Sequence, residues 1–72
     1  MTDDDATALA DAFVNGHDLK GWRYVAAGVN RTHPGVAAVV FDTLSPEGNL
    51  VDGPVVVLVD VATRGVRFFE SP

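Results

Sequence analysis

The sequence predicts an α+β fold in which an N-terminal helix packs on one face of a four-stranded antiparallel meander sheet. Apolar residues recur at helical spacing between residues 4 and 15. Segments rich in Val and aromatic residues follow, as strands prefer, at residues 22–29, 36–44, 55–61 and 66–70. The connections between them are short, and short connections favour antiparallel strands that neighbour each other in sequential order.

The predicted helix carries signals at both ends. Thr2, or one of the aspartates at residues 3–5, can cap its free N–H groups, and the aspartates suit the positive end of the helix dipole. Asn15-Gly16 is typical of a left-handed C-terminal stop. One apolar stripe with the spacing i, i+3, i+4, i+7 and i+8 consists of Ala6, Leu9, Ala10, Phe13 and Val14.

Turn signals divide the rest of the chain. Residues 30–35 are predicted to form a hairpin loop, in which Pro34-Gly35 fits the centre of a type II turn. Residues 45–53 contain Ser-Pro, Gly-Asn and Asp-Gly and are predicted to form a longer loop. Gly65 fits the left-handed position of a tight hairpin with a bulge. Because no long linker occurs, we expect residues 1–72 to form a single domain.

Symmetric closure of these loops predicts the register of the sheet. In the first hairpin Val29 then lies opposite Val36. The same rule places each strand-borne Asp opposite an Arg of a neighbouring strand, a contact worth about 0.2–1 kcal/mol. The two predicted ion pairs are Arg23 with Asp42 and Asp60 with Arg67.

This register sorts the side chains into two faces, and both are largely apolar. We expect the helix to cover the first, which is made of Trp22, Tyr24, Ala26, Ala37, Val39, Phe41, Val55, Val57, Val59, Val61, Val66 and Phe68. The second face is made of Val25, Ala27, Val29, Val36, Ala38, Val40, Leu44, Val56, Leu58 and Phe69.

One helix cannot cover both faces of a sheet, and a monomer rarely exposes an apolar patch larger than a few hundred Å². A second copy is the most economical cover, because a two-fold axis makes a patch complementary to itself. A different protein is one alternative, and the N-terminus or the loop at residues 45–53 folding over the face is another. The interface is expected to include Val25, Val40, Val56, Leu58 and Phe69.

Composition limits the possible functions. The chain has no cysteine, so disulfides and thiolate metal sites are excluded, and with two histidines a zinc site would depend on carboxylates. A formal net charge of −5 with dispersed basic residues argues against nucleic acid and anionic membranes as partners. A secretion signal and an apolar run of about 20 residues are both missing, so we expect a cytoplasmic protein.

No group of residues predicts a catalytic, cofactor or metal site. His17-Asp18 lies beyond the helix end, and no nucleophile can be placed beside it. A phosphate-binding loop and a nucleophile elbow are both missing from the sequence. A polar loop that could contact an anion or a partner's carboxylate consists of Asn30, Arg31, Thr32 and His33.

We therefore expect a small, acidic, non-enzymatic protein-binding or regulatory protein that acts through an apolar sheet face, as a homodimer or on another protein. One alternative is a small-ligand-binding or catalytic domain with a pocket between helix and sheet, near Trp22, Tyr24 and His33. Another is an acidic mimic of nucleic acid that inhibits a DNA-binding protein, which the aspartates at residues 3–5 suggest.

Overall fold

The computed structural model describes residues 1–69, and of residues 32, 52 and 53 it describes the backbone alone. Within this range one antiparallel sheet has the strand order β1-β2-β3-β4, which confirms the predicted α+β meander. The elements are α1 (Asp3–Asn15), β1 (Arg23–His33), β2 (Val36–Leu44), β3 (Leu50–Asp60) and β4 (Val66–Phe68). The predicted strand end at Glu70 lies outside the described residues.

The helix begins with a capping box. The Asp5 N–H donates to Thr2 Oγ1 at 3.1 Å, and the Thr2 N–H donates to a carboxylate oxygen of Asp5 at 3.1 Å. The backbone N–H of Thr2, and then its hydroxyl, hold the pKa of the Asp5 carboxyl below its ordinary value. The helix ends at Asn15 as predicted, but the predicted left-handed conformation at its end is wrong, because Gly16 has a φ of −77°. Left-handed backbone appears later in the connector, at Lys20 and Gly21.

The core lies between α1 and one face of the sheet. The helix contributes small residues, so its axis can approach the strands closely, and β2 and β3 contribute alternate residues. The predicted core face is thus confirmed for the two central strands. The fully buried residues are Ala6, Ala10, Val14, Ala37, Val39, Phe41, Val57 and Val59.

The predicted loop at residues 30–35 is wrong, because β1 continues to His33 and only Pro34-Gly35 turns the chain. Gly35 has a φ of 81°, as the third residue of a type II turn requires. Val29 therefore lies opposite Val39 and not opposite Val36. The longer strand adds ladder hydrogen bonds that a six-residue loop would leave to water.

A β-bulge at Ala27 changes which face the second half of β1 presents. Ala26 lies opposite Phe41, and two residues later Gly28 lies opposite Val40. The extra residue moves Val29 onto the helix side, where it packs against the core. Its predicted place on the uncovered face is therefore wrong.

Trp22 was expected in the core, but it precedes β1 and its side chain is 41% exposed. Strand β3 begins at Leu50, ahead of the predicted start, and a bulge opposite residues 41–43 accommodates Pro54 within the strand. The predicted loop at residues 45–53 shrinks to a turn. In that turn the Ser45 N–H donates to the Asn49 carbonyl at 2.8 Å.

Candidate functional site

We call the face of the sheet opposite α1 the outer face. Residues directly opposite each other in adjacent strands share a face, so the pairing of the strands defines its members. Its apolar residues are Val25, Val36, Ala38, Val40, Leu44, Leu50, Val56, Leu58 and Phe69. Polar residues on the same face are Arg23, Asn30, His33, Asp42, Asp60 and Arg67.

The centre of the outer face is apolar and most of its margin is polar, although Leu44 and Leu50 extend the apolar surface to one end. Ala38 lies opposite Leu58 and Val40 opposite Val56, so four apolar side chains meet across the two central strands. All four are half-buried by their neighbours in the sheet. An apolar centre within a polar margin is the usual anatomy of a protein–protein interface.

Val25 and Phe69 extend the apolar centre towards the two edges of the sheet and are more open, with 41% and 54% of their surface exposed. No element within residues 1–69 covers the outer face. Met1 packs against the core on the helix side, so the N-terminus is not the cover that one alternative proposed. Part of the expected covering loop, residues 50–53, belongs to β3 instead.

The first predicted ion pair has the wrong register. Arg23 lies opposite Leu44, while Asp42 lies opposite Val25. The observed ladder is shifted by two residues at this end, which preserves the face of each side chain but separates the two charges. Within the described residues, the ion pair is formed elsewhere, between Arg31 and Asp3.

The second predicted ion pair is also out of register, because Arg67 lies opposite Leu58. Asp60 instead accepts bonds from the N–H groups of Ala62 at 2.9 Å and Thr63 at 3.0 Å. The Thr63 N–H and then the Ala62 N–H are the main causes that lower the pKa of Asp60, and the charge of Arg67 adds least. Asp60 therefore organises the β3–β4 turn.

In that turn the left-handed residue is Arg64, with a φ of 61°, and the prediction of Gly65 at this position is wrong. The Arg64 N–H donates to the Asp60 carbonyl at 2.8 Å, which closes the turn.

The residues of the predicted polar loop lie on strand β1, and the side chain of Thr32 is outside the described part of the chain. Arg31 does find a carboxylate, but within its own chain. Its Nε donates to Asp3 Oδ1 at 2.6 Å, and its Nη2 donates to the Met1 carbonyl at 2.9 Å. The pair is exposed and contributes about 0–1 kcal/mol, but it fixes the start of α1 beside the end of β1.

A second link between α1 and β1 was missed by sequence reasoning. The Asn15 side chain donates from Nδ2 to the Tyr24 carbonyl at 3.0 Å and accepts from the Tyr24 N–H at Oδ1, also at 3.0 Å. Asn15 thus occupies the backbone groups that Tyr24 presents at the free edge of β1. The sequence signal for this contact was an Asn at the end of the helix. We interpreted that Asn as part of a left-handed C-terminal stop and not as a contact with β1.

We expect Asn15→Ala to lower the free energy of unfolding by about 1–3 kcal/mol, because it leaves a part-buried donor and acceptor without partners. Urea unfolding followed by circular dichroism measures the change. The control is Asn49→Ala, an exposed side chain whose removal should alter stability by about 0.5 kcal/mol or less. Equal losses in both variants would contradict a special role for Asn15.

A cleft of about 340 Å³ lies at the C-terminal end of α1. Several of its polar groups are engaged within the chain: Asn15 binds Tyr24, and Asp18 Oδ1 accepts the Lys20 N–H at 2.8 Å. His33, named for the predicted pocket, lies at the far end of β1 and does not line this cleft. The lining residues are Asp11, Asn15, His17, Asp18, Leu19, Trp22, Arg23 and Tyr24.

Within residues 1–69, no group of three or more His, Asp or Glu side chains is arranged to hold a metal ion. In the same range, no helix is long and apolar enough to cross a membrane. The chain matches no protein-family model, no curated protein and no solved structure. Its function must therefore be inferred from the surface of the molecule itself.

Proposed function

We propose that this chain is a small protein-binding or regulatory protein that acts through its outer face, and that the face packs on the same face of a second copy. The observation that carries the proposal is the uncovered apolar centre around Val40, Val56 and Leu58. A contiguous apolar patch rimmed by polar residues is typical of an interaction site.

The size of the face is sufficient for a stable pair. Strand β2 has nine residues and is about 30 Å long at the usual rise per residue. Four strands at about 4.8 Å spacing give a width of about 19 Å. Allowing for the short β4, each copy offers roughly 500 Å², so two copies bury roughly 1,000 Å² in total, the lower limit for a specific interface.

The charges of the margin suit self-association. Arg67 and Arg23 are positive, while Asp42 and Asp60 are negative, so the margin can meet its own copy without a single-sign surface. The net charge of −5 on each copy opposes association at long range, but salt at physiological strength screens it beyond about 8 Å. Apolar contact at the centre is then the main driving force.

The test is Leu58→Asp, which places a carboxylate at the centre of the outer face. We expect the purified variant to sediment as a smaller species than the wild type while its circular dichroism spectrum stays folded, because a buried unpaired charge strongly disfavours association. The control is Ala8→Asp, which adds the same charge on the exposed side of α1 and should leave the mass unchanged.

A wild type that sediments as a strict monomer at high micromolar concentration would overturn the proposed self-association. An unchanged mass for Leu58→Asp would instead show that any assembly uses another surface.

The alternatives have less support. In the cleft at the end of α1, Asn15 and Asp18 already bond within the chain, so fewer groups are free for a ligand. For an acidic mimic of nucleic acid, Asp3 is paired with Arg31 and Asp5 belongs to the capping box. The apolar centre of the outer face, by contrast, is not covered by any element within residues 1–69.

A further inference from the structure

The two edges of the sheet are treated differently by the chain. At the β1 edge, Asn15 occupies the backbone of Tyr24, and Arg31 is tied to the start of α1. Natural proteins cover strand edges in this way to prevent unwanted pairing. The β4 edge has no comparable contact in the described part of the chain, and β4 itself is only three residues long.

Exposed aromatic side chains lie together at the β4 edge. Of the seven large apolar side chains that are exposed within residues 1–69, three lie on β4, directly after it, or on α1 beside it. Phe68 is 45% exposed, and its ring centroid lies 5.0 Å from that of Phe13. The three are Phe13, Phe68 and Phe69.

The hydrogen bonds between β3 and β4 show which backbone groups of β4 are free for a new strand. Gly65 accepts from the Asp60 N–H at 2.8 Å, and the Phe69 N–H donates to Val56 at 2.9 Å. In an antiparallel ladder the backbone N–H and C=O groups of successive residues point alternately towards one neighbouring strand and towards the other. The backbone N–H and C=O groups of residues 65, 67 and 69 therefore point towards β3. Those of Val66 and Phe68 point away from the sheet.

We propose that β4 pairs antiparallel with β4 of a second copy, about a two-fold axis that passes through Phe68. Centred there, the two Phe68 residues exchange N–H to C=O bonds, using the groups that face away from β3. Centring on Arg67 instead would use the same outward-facing groups of Val66 and Phe68, but it would place two like charges directly opposite each other.

The side chains of β4 suit this pairing. On the helix side the two copies bring their Phe13 and Phe68 rings together, and such aromatic groups are worth more than their buried area alone. On the outer face Arg67 lies opposite Phe69 of the second copy, where a guanidinium over an aromatic ring is favourable. A groove of about 570 Å³ at this edge is lined by Phe13, Leu58, Val66, Arg67, Phe68 and Phe69.

This edge pairing is a second surface and does not rest on the proposed role of the outer face. Its two-fold axis is perpendicular to the sheet, whereas the axis that stacks two outer faces lies parallel to the sheet. Two perpendicular two-fold axes that intersect combine into a closed tetramer, so both contacts can be made together when the stacking axis passes beneath Phe68. In both contacts the partner is another copy of this same chain.

The test combines Phe68→Pro, Phe68→Ala and the wild type. Proline is tolerated on an edge strand where its missing N–H faces outward, so Phe68→Pro should keep the β3–β4 ladder and lose the edge pairing. Phe68→Ala also removes the ring but keeps the donor, so it should weaken association less. Sedimentation gives the masses, and the Phe68 amide of the wild type should exchange its hydrogen about tenfold more slowly, or more, when concentrated.

The possible results separate the two surfaces. If both proposals hold, the wild type is a tetramer, and Leu58→Asp and Phe68→Pro each leave a dimer. If only the edge pairing holds, the wild type is a dimer that Phe68→Pro breaks and Leu58→Asp does not. A Phe68 amide that exchanges at the same rate at every concentration overturns the edge pairing, even if Phe68→Pro does not fold.

Discussion

Val57→Asp is expected to abolish folding. Val57 is fully buried on central strand β3, opposite Val39 on one side and Phe68 on the other. A carboxylate there meets only apolar neighbours, and burying such a group without a partner costs several kcal/mol or forces it to take up a proton. A core this small rarely supplies more than about 3–5 kcal/mol of net stability, so the loss should exceed the total.

Far-UV circular dichroism and the dispersion of amide proton signals measure the result. The matched variant is Leu58→Asp, one residue along the same strand but on the outer face. It should remain folded and lose association. The assignment of the two faces would be refuted by a folded Val57→Asp protein, or by equal loss of structure in both variants.

The second large effect is expected for Phe41→Ala. Phe41 is the largest fully buried side chain, and its ring forms a T-shaped pair with that of Tyr24 at a centroid distance of 6.5 Å. Its removal leaves a cavity between α1 and β2, and such truncations of a buried Phe cost about 3–5 kcal/mol. We expect most of the variant population to be unfolded in buffer without denaturant.

Urea unfolding of Phe41→Ala, compared with Phe69→Ala, isolates the effect of burial, because the two substitutions remove the same atoms. Phe69 is 54% exposed and lies on the outer face, so its loss should change the stability of the monomer little and its association more. Comparable loss of stability in the two variants at low protein concentration would mean that Phe41 is not a core residue in solution.

Much of the fold could be predicted because the decisive signals are local. The stripe from Ala6 to Val14 has helical spacing, and it is the stripe that packs on the sheet. The predicted register placed Val39 and Val57 on the helix-covered side of the central strands, and the structure agrees. An error of two residues in register does not change a face, since strand side chains alternate with a period of two.

The candidate site was predicted less completely. The outer face was recognised on β2 and β3, but the bulge at Ala27 moved Val29 to the helix side. The two Arg–Asp pairs failed because they depended on exact opposition across the ladder, which a shift of two residues destroys. The open β4 edge was missed, since only the pattern of hydrogen bonds shows which backbone groups are free.

What the sequence by itself determined is the type and order of the elements and the apolar character of both sheet faces, because these depend on periodicity and composition. What only the tertiary structure decided is where each strand ends and what closes each edge. Asn15 with Tyr24, and Arg31 with Asp3, are contacts between α1 and β1, two separate elements of the fold. Their geometry depends on how α1 lies across the sheet, and no local pattern encodes that placement.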